Sequence, residues 1–390
     1  MKRTTTLAAL ALTALGLAAP SKAAEPACEM SGDEGAWTQR ALLAWERGSR
    51  DLLRTSPTPL PWIVLVGPRC AWHLAPDPDA ASFPDEAAAL DGAEVPDLLL
   101  TFAGAPVPVR AVVHGGTVRL PDGSTQKAGP AAGARLRRKG KATFFVMSTL
   151  EVWRAAYPEM PESDLEPFFL GVFSHEIVHT RQLVAVGEEI GRLVERYGIP
   201  PRMDDDIVEN RMKKKRRYRE AYEAERDLFF QAAAEPDPAR AKELAARALG
   251  QAEARRARWL SGRRAWLGEM EPLFLAMEGV AEWCRFRLLA DDPREPRTDA
   301  ELLAMVRGKD NNWSQDEGLA LFLLLDRLAP GWQERVLSGT PPSPLTMLAE
   351  AIRGSGGAAS AWSPPAPSRR LGAPPSAPRA WRAWSPWDRE

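Results

Sequence analysis

His175-Glu176-Ile177-Val178-His179 sets two imidazoles four residues apart, with a carboxylate directly after the first. On an α-helix that spacing turns both rings to one face, about one turn apart, where they can close on a single metal ion. Glu176 then lies beside the ion, placed to take a proton from a water molecule. These residue types in this order point to zinc-dependent hydrolysis, with a peptide bond as the first expectation for the substrate. The chain holds only four histidines, His73, His114, His175 and His179. The competing expectation is a surface helix whose histidines make ordinary hydrogen bonds.

A catalytic zinc takes three ligands from protein and keeps one position open. No histidine follows His179, so the third ligand must be a carboxylate. Glu278, in Met277-Glu278-Gly279-Val280-Ala281-Glu282-Trp283, is the leading candidate, ahead of Glu317 in Glu317-Gly318-Leu319-Ala320 and Glu225 in Tyr222-Glu223-Ala224-Glu225-Arg226. Glu317 has a competing role, because Ser314-Gln315-Asp316-Glu317 reads as a capping box. For Glu225 the competing role is a salt-bridged helix surface. Glu282 falls on the same helical face as Glu278, one turn on, where it can accept a hydrogen bond from the outer nitrogen of a liganding histidine and fix its tautomer.

HExxH followed by Glu-Gly-x-Ala-x-aromatic resembles the gluzincin metallopeptidases, the group that includes thermolysin-like enzymes and many exported bacterial proteins. The resemblance covers two short motifs and their order. It implies that Glu278 is the third zinc ligand, with Gly279 letting its helix pack closely on the HExxH helix. It further implies a cycle in which Zn2+ on His175, His179 and Glu278 acidifies a bound water and polarises the scissile carbonyl. Glu176 would accept the water's proton and deliver it to the leaving amine. Sites of this class commonly add a Tyr or His donor for the oxyanion, for which Tyr218, Tyr222 and His114 are candidates. Glu278 follows His179 by 99 residues, far more than in thermolysin-like enzymes. A helical hairpin over about 204–267 would fill the gap, and loop-closure cost grows slowly enough with length to permit it.

The fold expected to position these groups is α+β and predominantly helical, with a small antiparallel N-terminal sheet packed on a helical lobe that carries the HExxH helix. Short β-rich runs at 62–66, 97–102, 107–114 and 117–120 are punctuated by Gly, Pro and Asp, and Pro121-Asp122-Gly123 is a turn. A further strand, 142–147, is placed by chain order to offer its edge to a peptide substrate. Ser148 to Glu151 reads as a capping box. Ser163 or Asp164 would cap the helix that runs through Phe168, Phe169, Val172 and Phe173 into the motif. The boundaries are 24–160 for the β-rich lobe and 161–354 for the helical lobe. Glu235-Pro236-Asp237-Pro238 divides the hairpin into two arms.

Composition limits the partners. At 390 residues the chain can bury a sizeable site, and a formal net charge of -1 offers no attraction to nucleic acid. Lys213-Lys214-Lys215-Arg216-Arg217 is followed by Glu220, Glu223, Glu225 and Asp227, the pattern of a solvated helix face. Lys2 and Arg3, the apolar run from Leu7 to Ala19 and Ser21-Lys22-Ala23 form an export signal over 1–23, with cleavage expected after Ala23. That run is too short to span a membrane, so no stable anchor is expected and the mature chain should be periplasmic or secreted. In an oxidising compartment Cys28 and Cys70 would pair, leaving Cys284 free. Residues 355–390, rich in Pro, Ala and Trp, read as a disordered tail. The alternative to a peptidase is a non-catalytic cell-envelope binding protein, either stabilised by metal or metal-free and acting through the charged hairpin and Trp381, Trp384 and Trp387.

Overall fold

The computed structural model describes residues 28–354, apart from 78–88, 90–91, 96–97, 138–141, 200–204, 293, 295 and 308–311. The export signal and the Trp-rich tail therefore lie outside the described residues. The architecture is α+β and mainly helical. A six-stranded sheet runs in the order β3 (Ala93–Glu94), β6 (Val109–Val113), β2 (Cys70–Leu74), β1 (Trp62–Val66), β10 (Thr143–Ser148), β9 (Ala132–Leu136). Every pairing in it is antiparallel except β1 with β10, which the long intervening chain joins in parallel.

Period-two alternation sorts the central strands between two apolar layers. Ile63, Leu65, Phe145 and Met147 face the main core, whereas Trp62, Val64, Val66, Phe144 and Val146 face a smaller one. The hairpin of β7 (Thr117–Arg119) and β8 (Thr125–Lys127) covers that smaller core through Val118. The helical face of the sheet receives α1 (Gly32–Arg47) and α3 (Glu162–Tyr197), which meet it through Trp37, Phe169, Phe173 and Phe145. Phe173 stands edge-on to Phe145 at 5.2 Å and to Trp37 at 6.2 Å.

Several sequence expectations are corrected. The strand at 142–147 offers no edge, because β9 pairs along its whole length and becomes the border of the sheet. Helix α1 was not anticipated in the β-rich lobe. Its Glu34 reaches across the chain to accept the Leu150 and Glu151 backbone N–H groups, capping α2 (Leu150–Ala156) in place of the Ser148 capping box. Ser148 Oγ instead donates to Gly129 O. Helix α3 starts at Glu162 behind Pro161, without a side-chain cap from Ser163 or Asp164. Cys28 and Cys70 form a disulfide, and Cys284 is free and buried.

Beyond α3 come α4 (Ile207–Met212) and two antiparallel arms, α5 (Arg216–Ala234) and α6 (Pro238–Trp259), broken where Pro236 and Pro238 interrupt the helical pattern. Helix α7 (Ala265–Ala290) follows, then α8 (Asp299–Val306), α9 (Trp313–Leu328), α10 (Trp332–Leu337) and α11 (Pro344–Gly354). A buried guanidinium fastens the arms to α7: Arg255 on α6 lies 2.6 Å from Glu225 on α5 and 2.7 Å from Glu271 on α7. On the outer face Arg216 pairs with Glu220 and Arg219 with Glu223, each four residues along the helix. No helix among the described residues is long and apolar enough to cross a membrane.

Candidate metal centre

Helix α3 presents Phe169, Phe173 and Ile177 to the core and turns His175 and His179 toward α7, which runs antiparallel to it. The register is read from the contacts: Gly171 meets Arg285, His175 meets Glu282, both rings meet Glu278, and Gln182 meets Met277. Both histidines, Glu278 and Glu282 are buried. The ring centroids stand 4.8 Å apart, and the two Nε2 atoms are 3.1 Å from each other.

Carboxylate oxygens of Glu278 close the third side, Oε2 at 3.2 Å from His175 Nε2 and Oε1 at 3.5 Å from His179 Nε2. The outer nitrogens are also engaged. His175 Nδ1 lies 3.0 Å from Glu282 Oε1, and His179 Nδ1 lies 3.0 Å from Gln182 Oε1. The Gln182 amide donates to Met277 O at 3.3 Å, so its oxygen is the atom that faces the ring. Each Nδ1 thus faces an acceptor, which favours a proton there and directs both Nε2 atoms to one point beside a carboxylate, where a metal ion or, without one, a shared proton belongs.

Three electron-rich groups converging in a buried space require a positive charge between them. Burial disfavours charge on His175, but Glu282 and Glu278 outweigh it and hold the ring's pKa well above the ordinary histidine range. Glu278 is likewise opposed by burial and held below the usual carboxylate value by His179 and His175. Glu282 behaves the same way, with Arg285 and then His175 as the stabilising charges. Without metal, the required charge is a proton. The donor set suits a metal ion at least as well, since two neutral imidazoles and one carboxylate are common zinc ligands.

Glu176 lies at the edge of this group, half-buried, and the ligand atoms of His175, Glu176 and His179 all fall within 4.8 Å of one another. The HExxH cluster in a helix can therefore hold a metal ion. Burial raises the Glu176 carboxyl above its usual range, against the pull of the two histidines.

The other sequence candidates are not among the groups that meet the two rings. Glu225 is tied to Arg255, and Glu317 lies on α9 among Tyr222, Glu271 and Trp313. The capping role expected of Ser314 and Glu317 is corrected, because α9 begins at Trp313 and Ser314 Oγ donates to Asp205 O. Tyr218 hydroxyl bonds to Glu271, Tyr222 hydroxyl donates to Trp313 O, and His114 Nε2 lies 3.1 Å from Gly67 O. Each of the three is thus engaged by a group other than the two ligand-candidate histidines.

Gly279 acts on a partner other than the one expected. A Cβ there would lie 2.7 Å from Gly318 Cα, and one on Gly318 would lie 2.6 Å from Gly279 Cα. The two Glu-Gly-x-Ala segments are therefore the two sides of one backbone crossing between α7 and α9. A Cβ on Gly171 would meet Arg285 Nε at 2.9 Å, so the bare glycine leaves room on α3 for the Arg285 side chain from α7.

Sequence reasoning missed three supporting residues. Gln182 follows His179 by three positions, within the same turn, and that spacing could have pointed to it. Arg285 donates to Glu282 at 3.1 Å from three residues along α7, a spacing equally open to inspection. Gln315 donates to Glu278 Oε2 at 3.2 Å from α9, a contact no local pattern announces. No family model, curated protein or solved structure matches this chain.

Proposed function

We propose that this chain is an exported zinc-dependent peptidase of the gluzincin kind, with His175, His179 and Glu278 as the zinc ligands and Glu176 as the general base. One observation carries the reading: the two Nε2 atoms and the Glu278 carboxylate converge on one point, with Glu176 beside them and, among the described residues, no side chain hydrogen-bonded to its carboxylate. A zinc ion bound there supplies a Lewis acid that polarises a carbonyl and acidifies water.

The chain's own groups do the rest. Glu176 accepts a proton from the attacking water and returns it to the amine nitrogen as the amide bond breaks, which balances the hydrolysis. Its raised pKa suits it to hold that proton between the two transfers. Glu282 and Gln182 hold the imidazoles in the metal-binding tautomer, and Gln315 orients Glu278. The outer edge of β9, unpaired among the described residues and bordering α3, is a strand edge for main-chain pairing with a peptide. A disulfide between Cys28 and Cys70 supports passage through an oxidising compartment.

The proximity of Glu176 also favours a second reading. Were it to take the fourth coordination position, the site would be closed and structural, as in a non-catalytic metal-stabilised protein. Glu176→Gln separates the two. A peptidase variant keeps zinc and loses at least about 100-fold in hydrolysis of a mixed peptide library. A structural site loses zinc affinity and thermal stability together, with no hydrolysis to lose.

A further inference from the structure

Six of the seven residues from 213 to 219 and four of the nine from 256 to 264 are lysine or arginine, and neither segment holds an acid. The fold brings the two segments together. One is the start of α5 with the turn before it; the other is the end of α6 with the short 3-10 turn Gly262–Arg264 that leads into α7. Because the arms run antiparallel, these ends lie side by side, with Tyr218 edge-on to Trp259 at 5.7 Å and both packed with Leu260 and Leu267.

Four of the ten cations are answered by carboxylates: Lys213 by Glu209, Arg216 by Glu220, Arg219 by Glu223 and Arg256 by Glu271. Lys214, Lys215, Arg217, Arg258, Arg263 and Arg264 make no ion pair among the described residues, and all but Lys215 are exposed. The whole chain is at a formal net charge of -1, so this concentration of positive charge leaves the remainder net acidic. Such asymmetry turns one end of the molecule toward a negative partner. Two tryptophans sit among the cations. Trp259 and Trp266 are each half-exposed, and the Arg258 guanidinium lies over the Trp259 ring at 4.5 Å. Indole rings set between lysines and arginines suit the headgroup level of a membrane, where cations meet phosphates and the rings reach the acyl boundary.

We propose that this end of the helical lobe is a membrane-adsorbing surface that binds anionic phospholipid headgroups reversibly, without insertion of a helix. It lies apart from the metal centre. Arg264 precedes Glu278 by 14 positions at the head of α7, roughly 20 Å along the helix. Adsorption would therefore hold the metal centre near the membrane without touching its ligands. The proposal does not depend on the peptidase reading.

The test compares the full chain as wild type with a variant carrying Lys214→Gln, Arg217→Gln, Arg263→Gln and Arg264→Gln, by sedimentation with lipid vesicles. All four side chains are exposed, so zinc content and Tm should be unchanged. Segments outside the described residues are the same in both chains and cancel in the comparison. Each lysine or arginine at an anionic surface strengthens binding about fivefold, so the variant should partition at least about 100-fold more weakly onto vesicles of about one-third phosphatidylglycerol. On phosphatidylcholine alone the two should agree. At about 0.5 M NaCl the wild-type advantage should shrink below about fivefold, and an undiminished advantage contradicts binding by charge. A loss below about fivefold on anionic vesicles at low salt overturns the surface. So does a variant that binds soluble polyphosphate more weakly but vesicles equally well, since the cations then serve a polyanion. Should the fourfold variant fail to fold, Lys214→Gln with Arg263→Gln replaces it: a loss of roughly 20-fold supports the proposal, and one under about twofold refutes it.

Discussion

Gly318→Ala tests how the metal-bearing helix is positioned. Its new Cβ would lie 2.6 Å from Gly279 Cα and 2.8 Å from both Gly279 N and Leu275 O. Carbon contacts are comfortable at about 3.5–4.0 Å, so α7 and α9 would have to part by about 1 Å. Overpacking of this kind costs about 1–3 kcal/mol, and the gain in helix propensity from Gly to Ala returns at most about 1 kcal/mol. The net expectation is a loss of about 1–2 kcal/mol, or several degrees in Tm. The displaced backbone is that of Gly279, next to Glu278, and metal sites tolerate only about 0.2 Å in ligand distances. Zinc affinity should therefore fall at least about 10-fold, a larger effect than the stability loss implies. Gly250→Ala is the control: it lies on the exposed face of α6 with nothing within 4 Å, and should stabilise by up to about 1 kcal/mol. Both variants would be followed by urea unfolding and by competition for zinc with a chromophoric chelator. Gly318→Ala matching wild type in stability and zinc affinity would refute the close crossing as the device that sets Glu278.

Further expectations concern protons and tautomers. His73 is fully buried in β2 and accepts the Trp62 indole N–H at 3.1 Å, and burial pushes its pKa down to about 4. Between its unfolded pKa of about 6.5 and that value, the unfolded chain binds a proton that the folded chain refuses, so stability falls as pH drops through this window. The loss should total about 3 kcal/mol at pH 4 and be missing from the stability curve of His73→Asn, as read by urea unfolding at each pH. A parallel pair of curves would contradict it. Gln182→Leu keeps volume but removes the acceptor at His179 Nδ1, and should weaken zinc binding about 10–100-fold with little change in far-UV circular dichroism. An unchanged affinity would mean that the His179 tautomer is set by other means.

The site was legible in the sequence where helical spacing alone decides geometry. His175 and His179 share a face because they are four residues apart, and Glu278 and Glu282 share one for the same reason. Strands rich in β-branched and aromatic residues, such as Trp62–Val66 and Thr143–Ser148, were legible too. What stayed hidden depends on partners far along the chain. Ala132–Leu136 is a strand because β10 pairs with it, since its own Ala-Gly-Ala-Arg-Leu carries no β signal. Cys70–Leu74 is likewise held between β1 and β6. Ser148 and Ser314 looked like helix caps, yet the first α2 N–H groups went to Glu34 and the Ser314 hydroxyl to Asp205 O, both from distant segments. The second Glu-Gly-x-Ala segment resembled a rival ligand site, and only the crossing of α7 and α9 gives its glycine a role.

The most direct test is zinc content by elemental analysis of the purified full chain beside Glu278→Ala and Glu317→Gln. The account predicts one zinc per chain in wild type and in Glu317→Gln, and loss of that zinc in Glu278→Ala. A wild type that binds no zinc, or a Glu278→Ala chain that keeps its full complement with unchanged affinity, would contradict it.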